Sequence, residues 1–201
     1  MNTQNSTITK LAETALMAAL CYVSFTFLQI KIPVPGGDAT SIHIGNAFCV
    51  LAALLIGGVY GGLSGAIGMG IADLMDPVYI TGAPKTFVLK FCIGLITGLV
   101  AHKIAKINES TDKKYIFKWS LLASVAGLAF NVIADPIVGY FYKQYILGQP
   151  QQMAEVLAKW SAAATFVNAI LSTIVVVIIY NALRPALAKS GMLEVGKTKE
   201  A

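Results

Sequence analysis

Residues 41–75, SIHIGNAFCVLAALLIGGVYGGLSGAIGMGIADLM, decide the fold that we predict for this chain. Two apolar segments, about 44–56 and 59–72, are separated only by Gly57 and Gly58. Neither segment reaches the roughly 20 residues that a straight transmembrane helix needs. Because paired glycines permit a tight turn and polar residues flank both segments, we predict two short helices here rather than one long broken span.

The composition indicates that most of the chain is surrounded by lipid. Its 201 residues are 56% hydrophobic and 12% charged, whereas a soluble domain carries about 25% charged residues. The net charge of +5 is therefore interpreted as a topology signal and not as a nucleic-acid footprint. Cys21, Cys49 and Cys92 lie inside apolar runs without paired spacing, which argues against disulfides and against a metal site.

Working outward from the central stretch, we predict an all-α integral membrane protein of one domain with six transmembrane helices. The helices span about residues 8–30, 44–56, 59–72, 84–104, 117–145 and 160–183, and residues 188–201 form a disordered tail. The sequence IPVPGGDATS after the first helix predicts an ordered loop, because proline and glycine end a helix there.

The distribution of lysine and arginine predicts that both termini are cytoplasmic. Ten of the fifteen basic residues then lie on the inside: Lys10, Lys103, Lys106, Lys113, Lys114, Lys118, Arg184, Lys189, Lys197 and Lys199. We expect the plasma membrane of a prokaryote as the location.

Small residues recur at intervals of four along three of the predicted helices, which lets helices approach closely. The spaced sets are Gly57, Gly61 and Gly65; Gly58 and Gly62; Gly94 and Gly98; and Ala15 and Ala19. For the glycines we favour packing inside the bundle over docking of a partner. The alanine face of the first helix is a candidate surface for a partner subunit.

Polar side chains inside predicted spans are the candidate functional residues, since they are costly in hydrocarbon. Lys90, Asp135 and Asn168 all fall in the outer half of the bilayer, about 9–14 Å from its outer edge at the helical rise. Asn131 lies one turn below Asp135 on the same helix face. We predict that this polar stripe faces the bundle interior.

The outer loops add His43 and Tyr79 at the same level. Together with the polar stripe they predict an outward-facing pocket for a small polar aromatic molecule of vitamin size, bound by Lys90, Asp135, Asn131, Asn168, His43 and Tyr79. Two alternatives stay open: Lys90 and Asp135 form a structural ion pair, or His43 only caps the start of its helix.

Enzymatic functions are not supported by the sequence, and no cofactor is implied. Residues 62–65 (GLSG) resemble the nucleophile motif of rhomboid proteases, but the one later histidine, His102, is predicted at the wrong face of the membrane to act as its base. Asp73 and Asp76 are similar to a fragment of the CDP-alcohol phosphotransferase motif, whose opening is absent and whose metal site needs more carboxylates. Without a phosphate-binding loop, active transport would require an ATPase partner.

Three segments resemble a known family, the S components, or substrate-binding membrane subunits, of energy-coupling factor (ECF) vitamin transporters. They are residues 41–75, residues 83–106 (APKTFVLKFCIGLITGLVAHKIAK) and residues 130–141 (FNVIADPIVGYF), and the resemblance extends over about residues 9–183. They are similar to the subgroup for hydroxymethylpyrimidine, thiamine-precursor or pyridoxine uptake.

The resemblance implies a six-helix protein that captures a vitamin from outside and docks on a transmembrane coupling protein with two cytoplasmic ATPases. It also implies that the AxxxA pattern, here Ala15 and Ala19, contacts the coupling protein. Two other functions remain open: a structural or regulatory subunit of a membrane complex without its own ligand, and a facilitator that works without ATPases.

Overall fold

In the computed structural model, residues 3–193 and residue 195 are described, with side chains described from Thr7 onward. This part of the chain forms six helices and one β-hairpin. The helices are α1 (Thr3–Phe27), α2 (Gly45–Ile56), α3 (Gly58–Met75), α4 (Ala83–Gly98), α5 (Lys113–Phe141) and α6 (Gln151–Lys189). The hairpin consists of β1 (Gln29–Val34) and β2 (Asp38–His43).

Four helical segments are long and apolar enough to cross a membrane: Thr7–Phe27, Ile80–Ile104, Lys113–Ile146 and Gln151–Lys189. Two of these continue beyond one α-helix, because a 3₁₀ turn precedes α4 and π-helical turns follow α4 and α5. The helices α2 and α3 have 12 and 18 residues, about 18 and 27 Å at the helical rise. They are the short pair that the sequence predicts.

The short helix α2 lies at the centre of the bundle, and this explains why its sequence is apolar on all sides. It packs against α1, α3, α4 and α6, and most of its side chains are buried. At its end, Gly57 adopts φ +93°, a backbone conformation that glycine takes without a steric penalty. The chain therefore reverses directly into α3 with no further loop residue.

The helices α2 and α3 then run antiparallel with their backbones almost in contact. A Cβ atom added at Gly61 would lie 2.3 Å from the backbone of Ala53, and one at Gly65 would lie 2.3 Å from Cys49 Sγ. Only glycine fits at these two positions, because real Cβ contacts are not that short. The four-residue spacing keeps both glycines on the face toward α2.

Glycines also bring α3 and α4 into close contact, on a neighbouring face of α3. A Cβ atom at Gly94 would lie 2.2 Å from the Gly62 nitrogen, and one at Gly98 would lie 2.2 Å from the Gly58 Cα atom. These four glycines meet each other in pairs across the interface. The prediction that the glycine repeats serve packing inside the bundle is thus confirmed.

The prediction of an all-α fold is wrong at the first outer loop, where the chain forms a two-stranded antiparallel sheet. Strands β1 and β2 pair in register from Gln29 with His43 to Val34 with Asp38. Gly36 and Gly37, at φ +85° and +78°, make the turn. The alternating sequence QIKIPV contains the strand signal, but its isoleucines also extend the apolar run of α1, which hid the boundary.

Other helix ends differ from the prediction for identifiable reasons. Helix α1 ends at Phe27 and not at Ile30 because the next residues pair with β2. Helix α5 begins at Lys113 instead of residue 117, since the Asp112 carboxylate accepts a 3.0 Å hydrogen bond from the Lys114 N–H and caps it.

Helix α6 differs most from its predicted bounds. It begins at Gln151 instead of residue 160, because its first turns are amphipathic, burying Ala154 and Leu157 beneath exposed polar neighbours. It continues to Lys189 instead of ending at residue 183. The first two residues of the predicted disordered tail are therefore helical, and residues 194 and 196–201 lie outside the described residues.

Replacing Gly94 by alanine should strongly destabilise the protein, since the new methyl group would collide with the α3 backbone. We expect a loss of about 1–3 kcal/mol or more in the free energy of unfolding. Gly70→Ala is the matched control in α3, because its Cβ would meet only Phe87 at an ordinary 3.6 Å. Melting temperatures in detergent measure both, and equal stability of the two variants would contradict the close α3–α4 packing.

Candidate functional site

A cavity of about 150 Å³ lies at the end of the bundle that carries the hairpin. Strand β2, the segment between α3 and α4, and the adjoining ends of α4, α5 and α6 form its wall. Five of the six residues predicted to bind ligand line this cavity: Lys90, Asp135, Asn168, His43 and Tyr79. The fold thus brings together residues that are up to 125 positions apart in the chain.

Asn131 is the predicted site residue that does not line the cavity. It is only 1% exposed, and its Oδ1 atom has no hydrogen-bond partner within the described residues. Its position one turn below Asp135 on α5 places it beneath the cavity floor, between packed helices. Direct contact between Asn131 and a ligand in this cavity is therefore not supported.

Asp135 is held by neighbours other than the predicted one. Its carboxylate accepts a 2.8 Å hydrogen bond from Lys85 Nζ and a second, shorter one from the Ser161 hydroxyl. The alternative of a Lys90–Asp135 ion pair is thus wrong. Lys85 lies in the first turn of α4, and its long side chain reaches Asp135, so the ion pair links α4 to α5, and the hydrogen bond from Ser161 adds α6.

Lys90 and Asp73 are the two charged cavity residues without an ion-pair partner within 4 Å, among residues 7–193. Their exposed fractions are 7% and 3%, and both line the cavity. A buried charge without an opposite charge beside it is costly, and among the described residues the Asp73 carboxylate has only a hydrogen bond from Thr86. These two side chains are therefore the strongest candidates for direct polar contacts with a ligand.

Asn168 holds the hairpin in place. Its Oδ1 atom accepts a 2.9 Å hydrogen bond from the His43 N–H, and its Nδ2 atom donates a 2.9 Å hydrogen bond to the Ser41 carbonyl. The carboxamide thereby replaces a missing strand partner for β2. Because both ends of the amide are used in this way, Asn168 shapes the cavity wall by positioning β2 on α6.

Aromatic rings surround the polar groups on the α1 side. The ring of His43 meets the ring of Phe25 edge-on, with centroids 4.6 Å apart, and Tyr79 lies 6.0 Å from Phe25. Burial, reinforced by the positive charge of Lys90, lowers the pKa of His43 to about 3. The imidazole is therefore neutral at physiological pH, and its Nδ1 atom accepts a 3.2 Å hydrogen bond from the Gly45 N–H. This bond agrees with a role at the start of α2.

Two further ion pairs tie the hairpin to the bundle around the cavity mouth. Lys143 at the end of α5 pairs with Asp38 at the start of β2. Lys31 on β1 pairs with Asp76 after α3, and its ammonium group lies 5.3 Å from the Tyr79 ring centroid. The first outer loop is therefore fastened at both strands.

Sequence reasoning missed several residues of the cavity. Asp73 on α3, Lys85 on α4 and Ser161 on α6 line the cavity but are not among the predicted ligand-binding residues. A polar residue on the cavity-facing side of each helix end is the signal that could have found them. Trp160, the predicted start of the sixth helix, also lines the cavity.

The two short motifs with an enzymatic resemblance have structural explanations. Ser64 of the GLSG motif is fully buried, and its hydroxyl lies 3.1 Å from the Thr14 carbonyl and 2.9 Å from the Tyr60 carbonyl. It joins α1 to α3. Asp73 and Asp76 do not act as a pair, because Asp76 binds Lys31 while Asp73 faces the cavity.

A double-mutant cycle should show strong coupling between Lys85 and Asp135. Lys85→Met leaves the buried Asp135 carboxylate without its cation, and removing one member of a buried ion pair costs about 3–5 kcal/mol. Part of that loss should be recovered in the Lys85→Met/Asp135→Asn double variant. The measurement is the free energy of unfolding in detergent for the four proteins.

The parallel cycle of Lys90→Met with Asp135→Asn is the matched control. Its coupling should be weaker, because Lys90 does not contact Asp135 within 4 Å. A larger coupling for Lys90 than for Lys85 would contradict the observed pairing.

Comparison with known proteins agrees with this architecture. The family model described as "ECF-type riboflavin transporter, S component" matches residues 5–185. The chain is similar in fold to ThiT from Listeria monocytogenes (TM-score 0.64, 17% identity, 94% of this chain and 99% of that one). It is also similar to the S component of a bacterial ECF transporter (TM-score 0.60, 19% identity, 90% and 98%).

A short sequence match is shared with an uncharacterized protein from the gap 3′ region of Pyrococcus woesei. The two are 32% identical over 76 residues, which is 38% of this chain and 49% of that protein. S components are substrate-binding membrane subunits of transporters and not enzymes. Because the family model covers most of the sequence, the chain belongs to the family of ECF-type riboflavin transporter S components.

Proposed function

We propose that this protein binds a single-ring, water-soluble vitamin or vitamin precursor from outside the cell, for ATP-driven uptake with an ECF module. Pyridoxine and hydroxymethylpyrimidine are the kind of compound that we have in mind. The observation that carries the proposal is the cavity itself, where buried polar side chains and aromatic rings converge at one end of a membrane-embedded bundle.

The size of the cavity favours one ring over several. A cavity of about 150 Å³ is of the size that accommodates a benzene molecule. Pyridine and pyrimidine rings are comparable to benzene, whereas the three fused rings and ribityl chain of riboflavin are much larger. Although the family is described by riboflavin, the cavity thus supports a smaller ligand.

The charge distribution supports an outward orientation of the cavity. The basic residues between α4 and α5, among them Lys103, Lys106 and Lys113, lie at the helix ends opposite the hairpin. The positive-inside rule assigns that end to the cytoplasm. We therefore propose that both termini are cytoplasmic and that the cavity opens to the outside of a prokaryotic plasma membrane.

The coupling partner that we propose is the transmembrane protein of an ECF module, which carries two ATPases. Ala15 and Ala19 lie on the exposed side of α1, while the buried Ala18, on a neighbouring face of the helix, packs against Gly68. This arrangement leaves a flat strip of small side chains facing the lipid, to which another helix can pack closely.

A panel of vitamins tested by thermal shift should identify a single-ring stabiliser. A ligand present at 100 times its Kd adds about 2.7 kcal/mol to the free energy of unfolding. We expect pyridoxine, hydroxymethylpyrimidine or a close analogue to raise the melting temperature in detergent, and riboflavin to leave it unchanged. Stabilisation by riboflavin alone would contradict the single-ring proposal.

The same panel tests the alternative of a structural or regulatory subunit. That function predicts that a folded protein gains no stability from any compound and releases no small molecule on denaturation. The facilitator alternative is tested by uptake in vesicles with and without the ECF module, and equal uptake would contradict the need for a coupling partner.

Bulky residues on the alanine strip should block assembly without affecting ligand binding. In Ala15→Trp and Ala19→Trp variants, we expect loss of co-purification with the ECF module and an unchanged ligand-induced thermal shift. Ile133→Trp on α5 is the matched control, because Ile133 is also exposed to lipid, at 64%, but lies on another helix. Equal loss in the control would mean that α1 is not the docking face.

A further inference from the structure

The charged side chains of the cavity balance one another. Three are basic and three are acidic: Lys85, Lys90, Lys143, Asp38, Asp73 and Asp135. His43 adds no charge at physiological pH, because its pKa is about 3. The cavity therefore has no net charge to offset a strongly charged ligand.

Four of the six charges already neutralise each other inside the protein. Lys85 pairs with Asp135, and Lys143 pairs with Asp38. Each of these pairs links elements that form the wall, so these four side chains stabilise the shape of the cavity. The remaining charges are Lys90 and Asp73, which have opposite signs and are both more than nine-tenths buried.

Helix geometry gives the approximate separation of these two groups. Asp73 lies beside Thr86 of α4, at the level where Gly70 faces Phe87. Thr86 and Lys90 are four residues apart on one face of α4, which is about 6 Å along the axis. The Asp73 carboxylate therefore lies beside Thr86, whereas the backbone of Lys90 lies about one turn deeper, and the two charged groups are more than 4.0 Å apart. A substituted six-membered ring is long enough to bridge such a distance.

We infer that Lys90 and Asp73 select a net-neutral ring that presents a hydrogen-bond acceptor or anionic oxygen at one edge and an N–H or O–H donor at another. The inference rests on the proposed function and narrows its substrate class. It also excludes two related classes, phosphorylated forms of the same ring and rings with a fixed positive charge.

The exclusion follows from the cost of burying a charge without a partner. A phosphate ester brings about two negative charges at neutral pH, and Lys90 is the one unpaired cation in the described cavity wall. A cationic ring in turn has only Asp73 and leaves Lys90 without a partner. A ring that donates at one edge and accepts at the other satisfies both side chains together.

Matched pairs of ligands test the inference. Pyridoxine is compared with pyridoxine 5′-phosphate, hydroxymethylpyrimidine with its monophosphate, and thiamine serves as the cationic probe, by titration calorimetry on the full-length protein in detergent. We expect the phosphate esters and thiamine to bind at least 100-fold more weakly than the better neutral probe.

Variants that remove the charge of Asp73 or Lys90 should change the affinity ratio between charged and neutral ligands. A purely structural role of these residues would leave that ratio unchanged. Asp73→Asn should lower the affinity for the neutral probe. It should also shift the affinity ratio at least tenfold toward the phosphate ester of that probe, because the cavity becomes net positive. Lys90→Met should shift the ratio toward thiamine. Glu155→Gln and Lys159→Met make the same charge changes at exposed positions of α6 outside the cavity, and their ratios should equal that of the unmodified protein.

The possible outcomes distinguish a failure of this inference from a failure of the proposed function. Tight binding of a neutral probe together with equal binding of its ester, or unchanged ratios in both cavity variants, overturns this inference and leaves vitamin capture intact. If no neutral probe binds to the folded protein, the proposed function is overturned and this inference with it.

Discussion

The direct approach of the α3 and α4 backbones is the constraint on which the rest of the structure depends. Glycines at 58 and 62 face glycines at 94 and 98, with no side chain between them. In lipid, such close packing replaces the hydrophobic driving force that is absent between apolar helices. Because Asp73 lies in the last turn of α3 and Lys90 lies on α4, the spacing of these two helices also sets the spacing of the two unpaired charges in the cavity.

Polar contacts at the outer end of the bundle add to the glycine packing in holding the helices together. Lys85 and Asp135 join α4 to α5, and Asn168 binds the backbone of β2 to α6. Ligand affinity requires a preformed wall, since ordering it on binding would subtract from the binding free energy. We therefore propose that the internally paired charges shape the cavity, whereas Lys90 and Asp73 contact the ligand.

The sequence predicts the features that depend on spacing along one helix. The short α2–α3 pair, the glycine contacts and the burial of Lys90, Asp135 and Asn168 follow from intervals of three to four residues and from the cost of polar groups in lipid. The pairing of Asp135 depended instead on how far the Lys85 side chain reaches between helices.

The hairpin and the early start of α6 are not predicted from the sequence, for related reasons. The apolar residues of β1 continue the hydropathy of α1, so length alone could not separate strand from helix. The first turns of α6 bury only a narrow stripe that includes Ala154 and Leu157. The mean hydropathy of this segment does not detect such a stripe. Within the site, the use of both Asn168 amide groups on β2 could not be seen without the fold, because the partners are 125 and 127 positions away.

We propose a transport subunit that holds one small ring between the Lys90 ammonium group and the Asp73 carboxylate group. The most direct test is to purify the protein from cells grown in rich medium, denature it, and identify the released small molecules by mass spectrometry. The account predicts about one equivalent of an unphosphorylated, net-neutral, single-ring compound per protein. Release of riboflavin or of a phosphate ester in that amount would contradict it.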